Sequence, residues 1–241
     1  MIGVIIADLI KLRGSLVLLV MAVPPVMMAV LGVLVIISGN SAGDWPRTAL
    51  SGTAIWAYFL LPMTATGLTA LLAQLEHSTG VWSHILATGT PRWQIFLSKG
   101  LIAFALMGTT SLLVGLAIFA SGHVGGLVMP AEALEGIPPY GQIVSILTKM
   151  WAASLLVTAF QLAIALRFSS FALPVSVGIG GTFVAVAATS SKWGLVFPWL
   201  MPVNVLASEP ERALLAIAIG GIGGLVALTA MIVWLSRRDW D

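Results

Sequence analysis

Polar residues fall into a few short clusters along the chain, and long apolar runs separate them. No Asp, Glu, Lys or Arg occurs over residues 14–43, 48–75, 100–131, 150–166, 168–191 and 213–236. A membrane-spanning helix needs about 20 mainly apolar residues. Five of the six runs reach that length, and the sixth, 150–166, reaches it if its span begins near Ile143 and carries Lys149 inside. The pattern predicts six spans, at about 15–37, 52–73, 100–120, 143–166, 172–190 and 213–235. Leu, Val, Ala and Ile dominate these runs without ten-residue alternation. The fold class is therefore an all-α polytopic membrane protein rather than a β-barrel, with residues 1–241 forming one transmembrane domain.

The segments between the spans carry more detail. Residues 1–13 place Ile2, Ile5, Ile6, Leu9 and Leu12 at helical spacing, with Asp8 and Lys11 on the opposite face. That pattern predicts an amphipathic helix lying in the cytoplasmic interface. The apolar stretch after Arg13 is about 25 residues, too long for the core of a cleaved signal peptide. Pro24, Pro25 and Pro62 lie inside the first two spans and predict helix hinges, since proline removes a backbone donor. Residues 38–51 read as a short polar loop, and 121–141 as a loop rich in Gly and Pro with Glu132 and Glu135.

Residues 74–98 are too polar to span, yet Val81, Trp82, Ile85 and Leu86 make one helical stripe with Ser78, Thr79 and Ser83 off it. A short amphipathic helix is expected there, then a turn at Gly89-Thr90-Pro91 and re-entry into the membrane at Lys99. A second turn surrounds Arg167-Phe168-Ser169-Ser170, and residues 191–211 hold Lys192, Trp193, Phe197, Pro198, Trp199, Met201 and Pro202.

Composition and charge narrow the class further. The 241 residues carry 11 Lys+Arg and 9 Asp+Glu, 8% charged against 59% apolar. Ordinary soluble domains are about 25% charged. The chain has too little polar surface to disperse in water, and it is too apolar to be disordered. It has no Cys, which excludes disulfides and thiolate metal sites. With the N-terminus in the cytoplasm, Lys11, Arg13, Arg92, Lys99, Arg167, Arg237 and Arg238 lie inside and Arg47, Lys192 and Arg212 outside. This asymmetry predicts both termini in the cytoplasm.

Several chemistries are absent from the sequence. It has no phosphate-binding loop motif and no H-E-x-x-H zinc motif. No Asp or Glu lies within an expected span, which weighs against proton- or sodium-coupled carriers. His77 and His84 fall in the inner loop and His123 in an outer one, so no Ser–His pair for intramembrane proteolysis sits at span depth. No catalytic residue and no metal site is expected.

Glu76 leaving the membrane, Leu86 about ten residues later, Pro91-Arg92, Phe96 and then Ser98-Lys99 opening the next span together form a pattern. It resembles the first cytoplasmic loop of type-2 ABC exporter permeases. The layout is similar over the whole chain, and the length and plain loops resemble the lantibiotic-immunity and bacitracin-resistance branch. Arg92 follows Pro91 directly, where many relatives place one residue between them.

The resemblance implies a non-catalytic permease in the bacterial cytoplasmic (inner) membrane. It would bind no cofactor itself and would pair with a second permease chain and a separate ATPase that carries ATP and Mg. Its cargo would be a membrane-acting peptide or a small hydrophobic or drug-like molecule, with no nucleic acid involved. The resemblance also makes residues 76–92 a coupling helix seated in the ATPase. Glu76, His77, Val81, Trp82, Ile85, Leu86, Pro91, Arg92 and Lys99 are its candidate contacts, with Glu76, Arg92 and Lys99 at the membrane border.

Each feature has a plainer reading beside it. The Trp82 stripe also suits a helix lying on lipid, and His77 with His84 suits two interfacial histidines better than a metal pair. Lys149 either touches a substrate pathway or snorkels to headgroups. Trp193, Phe197, Trp199 and Met201 suit either an aromatic belt or a re-entrant outer gate. Gly178, Gly180, Gly181, Gly220 and Gly224 permit close helix packing within the chain or across a dimer seam. A non-transporting membrane docking or sensor protein, and an ion-coupled secondary carrier, are the competing functions.

Overall fold

A computed structural model describes residues 1–77, 89–189 and 191–238, and the regular elements among them are all helices. They are α1 (Ile2–Leu12), α2 (Leu16–Ile37), α3 (Trp45–Ile55), a π-helical turn (Trp56–Leu60), α4 (Leu61–His77), α5 (Arg92–Val128), α6 (Tyr140–Arg167), α7 (Ala172–Ala188), α8 (Met201–Asn204) and α9 (Pro210–Ser236). Short 3₁₀ turns occupy Pro130–Glu132, Lys192–Leu195 and Pro198–Leu200.

The helix boundaries follow local chemistry. Asp44 caps α3 by accepting from the Arg47 N–H at 2.8 Å, and Pro46 fits the first turn because that turn needs no backbone donor. Residues 45–51, expected as loop, are therefore helical. Gly89 takes a φ of +73° before Pro91, so the predicted turn is present, but α5 begins at Arg92, seven residues before Lys99. The far end of α5 also outruns expectation, because residues 121–128 are helical. Gly122 and Gly125 let α5 close on Trp45 and Ile36 there, where a Cβ would collide with both side chains.

α3, the π turn and α4 run on as one segment of 33 residues. Pro62 lacks the N–H that would bond the Tyr58 carbonyl, and the Leu61 N–H reaches back five residues to Trp56 O. The wider π turn thus sits at the proline rather than a break. α2 stays helical through Pro24 and Pro25.

Five segments are long and apolar enough to cross a membrane: α2, the Trp45–His77 segment, α5, α6 and α9. α7 departs from the six-span expectation. Its 17 residues span about 25 Å against a hydrocarbon core of about 30 Å. It starts five residues after Arg167, and Thr189 at its far end lines a cavity with Tyr58 and Arg212.

At one end of the bundle, Arg92 donates to Arg238 O at 2.9 Å and Arg238 donates to Arg167 O at 3.1 Å. Lys11 meets Glu76 at the same end. At the other end the tilted rings of Trp45, Phe119, His123 and Tyr140 pack together, and Trp45 N–H donates to Glu135 O at 3.0 Å.

α6 packs against α4, α5, α7 and α9. Gly220 and Gly224 bring α9 onto the backbone of α6 at Ala153 and Leu155, an approach that only a missing side chain permits. Outward faces carry large apolar residues such as Leu16, Val26 and Val30 on α2 and Leu214, Ile222 and Val226 on α9. Such a surface matches lipid and would be unstable in water.

Candidate functional site

The most concentrated chemistry lies where α1, α4 and α5 meet. Lys99 Nζ bonds Asp8 Oδ1 and Glu76 Oε1, both at 2.7 Å. Lys11 Nζ bonds the same Glu76 oxygen at 2.8 Å, and Ser98 Oγ donates to Asp8 Oδ2 at 2.7 Å. Two acids and two bases thus balance within one network. Asp8, Glu76 and Lys99 retain only 7%, 1% and 2% of their exposure.

Burying such charges carries a large desolvation cost, which close pairing and added hydrogen bonds offset. The network therefore fixes geometry strongly. Removing any one partner leaves a buried charge uncompensated.

The sequence placed these residues differently. Asp8 was expected on a solvated face and is buried. Glu76 and Lys99, candidate polar contacts at the membrane border, pair with each other and with α1. α1 consequently presents Ile2, Ile6 and Leu9 outward. Its polar side faces protein and its apolar side faces away, the reverse of a helix on a water-soluble core.

Glu76 stands two residues before the 78–88 segment, and Lys99 eleven residues after it, two turns into α5. Val81, Trp82, Ile85 and Leu86, the expected coupling stripe, lie outside the described residues. Of the flanking candidates, His77 Nε2 lies 3.2 Å from Ala165 O, so α4 is tied to α6 at this level. Pro91 holds the N-cap position of α5, and Arg92 donates to the Arg238 carbonyl just past α9. Among the described residues no cluster of His, Asp and Glu is arranged to hold a metal ion.

A family model described as ABC-2 family transporter protein matches residues 4–185. The chain belongs to that family. It is an ABC-2 type permease, the membrane component of an ABC transporter. No curated protein and no solved structure gives a significant match. The matched region of the ABC-2 permease runs from α1 almost to the end of α7 and contains all four charges of the network.

A second polar junction links the spans of this permease above the charged one. Thr66 Oγ1 donates to Pro62 O at 2.8 Å, and the buried Gln161 lies 3.2 Å from Thr66 Oγ1. With its amide turned to satisfy both ends, Gln161 donates to Pro174 O at 3.2 Å and accepts from the Gly178 N–H at 3.0 Å. The proline of one span is thereby tied to α6 and α7. This junction went unseen in the sequence, although a Gln inside an apolar run is its signal.

The outer candidates separate. Trp199 and Met201 are buried, and Trp199 packs edge-on to Phe160 at 5.7 Å and stacks with Phe197 at 5.3 Å. Gly181 lies against the same indole. Trp193 is 80% exposed and takes no part in that cluster. Lys149 lies on the exposed face of α6 and makes no ion pair among the described residues. The neighbouring Thr148 and Trp151 line a groove of about 340 Å³ with Gly108 and Thr109 of α5. Gly178 and Gly181 serve packing within the chain, whereas Gly180 meets open space.

Proposed function

We propose that the permease exports a hydrophobic or amphipathic substrate, using ATP hydrolysed by a separately encoded ATPase that docks on residues 76–92. Membrane-acting peptides are the first cargo class, followed by drug-like molecules, as in the lantibiotic-immunity branch. The working unit contains two permease chains and two ATPase subunits in the bacterial cytoplasmic membrane. Both termini are cytoplasmic, and α7 completes a sixth crossing.

The observation that carries this reading is the Asp8–Lys99–Glu76–Lys11 network beside the 78–88 segment. A push on that segment acts on the end of α4 at Glu76 and, through the first two turns of α5, on Lys99, and these two cannot separate without exposing buried charge. The push is therefore passed to α1, α4 and α5 as one block, the contiguous and stiff path that coupling between distant sites requires. The π turn at Trp56–Leu60 and the proline beside it give the block a place to bend. Outside, the buried Trp199 cluster forms the closing element of the pathway.

The test is co-expression of the chain with a candidate P-loop ATPase subunit, followed by transport in sealed vesicles. Co-purification and ATP-dependent accumulation of an amphipathic peptide are expected. Accumulation driven by an ion gradient without ATP would establish a secondary carrier instead. Complex formation without any transport would establish a docking protein.

A further inference from the structure

The segment between α7 and α9 holds a second site, distinct from the charged network. Asn204 retains only 4% of its exposure. Its Nδ2 donates to Gly194 O at 3.0 Å, and its Oδ1 accepts from Arg212 Nε at 2.9 Å. The buried amide is thus fixed at both ends and in turn orients the guanidinium. Among the described residues Arg212 makes no other hydrogen bond and no ion pair. Its two terminal nitrogens remain available in a set direction.

That guanidinium lines a cavity of about 240 Å³ together with Tyr58 of the π turn, Thr189, Asn204, Ser208 and Glu209. Glu209 and Arg212 stand three residues apart at the start of α9, a spacing at which opposite charges commonly pair. Here they do not approach within 4.0 Å of each other. Asn204 draws the arginine aside, and the two opposite charges line one cavity without neutralising each other.

We propose that this cavity binds a zwitterionic polar group. Its phosphate or carboxylate lies on the Arg212 fork and its ammonium beside Glu209, with Tyr58, Thr189 and Ser208 completing the lining. A guanidinium held through Nε offers its other edge for bidentate contact with a planar or tetrahedral anion. The half-buried setting screens that contact less than open water does. Two sources present this chemistry at a membrane surface: the headgroup of an ethanolamine phospholipid, and the paired amino and carboxylate groups of a peptide. The inference rests on the exporter reading only for its purpose, as the outer station where an amphipathic cargo parks its polar end.

The experiment measures binding to the purified full chain in nonionic detergent, with no ATPase present, so that its outcome is independent of transport. The probes are phosphoethanolamine, glycylglycine and inorganic phosphate, followed by calorimetry and by thermal unfolding. Saturable binding of at least one zwitterionic probe is expected, and the preferred one identifies the source. Arg212→Gln is expected to weaken it by about tenfold or more, and Arg212→Lys by less, because lysine keeps the charge and loses the fork. Glu209→Gln is expected to weaken the zwitterions while leaving phosphate binding equal or stronger. Matching elution profiles of the variants establish that they fold. Absence of saturable zwitterion binding would overturn the proposal, as would binding indifferent to Arg212→Gln or phosphate binding as tightly as either zwitterion. Should binding hold while ATP-driven transport fails, the site stands and the exporter reading falls.

Discussion

Glu76 and Lys99 lie 23 residues apart and meet at 2.7 Å, closing the chain on itself around residues 78–88. Asp8 and Lys11 complete the contact from α1, so the N-terminal helix is joined to both flanks of the segment. The arrangement explains why a chain so poor in charge keeps four charges in one place. In an apolar body a balanced ionic network is a strong positional constraint, and its cost is repaid only when all members are present.

The first prediction tests that balance. Lys99→Met removes one cation and leaves Asp8 and Glu76 facing Lys11 alone, so it should destabilise the folded chain by about 3–5 kcal/mol. The double variant Lys99→Met/Asp8→Asn restores equal charge and should be more stable than Lys99→Met alone. Thermal unfolding in detergent measures both. Additive losses would mean that the four groups do not act together.

Helix packing gives a second prediction. Gly220→Val places side-chain atoms in the Ala153 backbone and should cost about 1–3 kcal/mol or abolish insertion. Gly180→Ala meets open space and should be neutral or stabilise slightly, since alanine is favoured over glycine inside helices by about 1 kcal/mol. Membrane expression levels and melting temperatures separate the two.

A third prediction concerns the outer tryptophans. Trp199→Ala empties a buried site between Phe160 and Phe197 and should cost about 3–5 kcal/mol. Trp193→Ala removes an exposed ring and should change stability by no more than about 0.5 kcal/mol. Equal effects would contradict the division of the loop into a packed part and a free part.

Lys149 supplies a fourth. Its exposed position and lack of an ion-pair partner among the described residues predict that Lys149→Met leaves the melting temperature within the range of neutral surface changes, about 0.5 kcal/mol. A large loss of stability would show that the lysine is held by protein.

Much of the architecture was legible in the sequence because apolar runs and charge clusters report it directly. The turn at Gly89-Thr90-Pro91 and the packing role of Gly220 and Gly224 were readable from residue type alone. The start of α3 was also readable, since Asp44 followed by Trp45-Pro46 is a helix-start signature, but the polar look of residues 38–51 obscured it. The lengths of α5 and of the Trp45–His77 segment were not, because hydropathy marks the apolar middle of a helix and not its ends. The ionic network was hidden for another reason. Asp8, Lys11, Glu76 and Lys99 each look like an ordinary border charge, and only the fold shows that they converge.

ATP hydrolysis by the assembled transporter puts the coupling role of residues 76–92 to the hardest test. The rate is compared with and without an amphipathic peptide, for the unaltered permease and for Trp82→Asp/Leu86→Asp. The variant should insert and retain basal hydrolysis but lose its stimulation by substrate. Stimulated hydrolysis equal to that of the unaltered complex would show that the segment clamped between Glu76 and Lys99 does not carry the force.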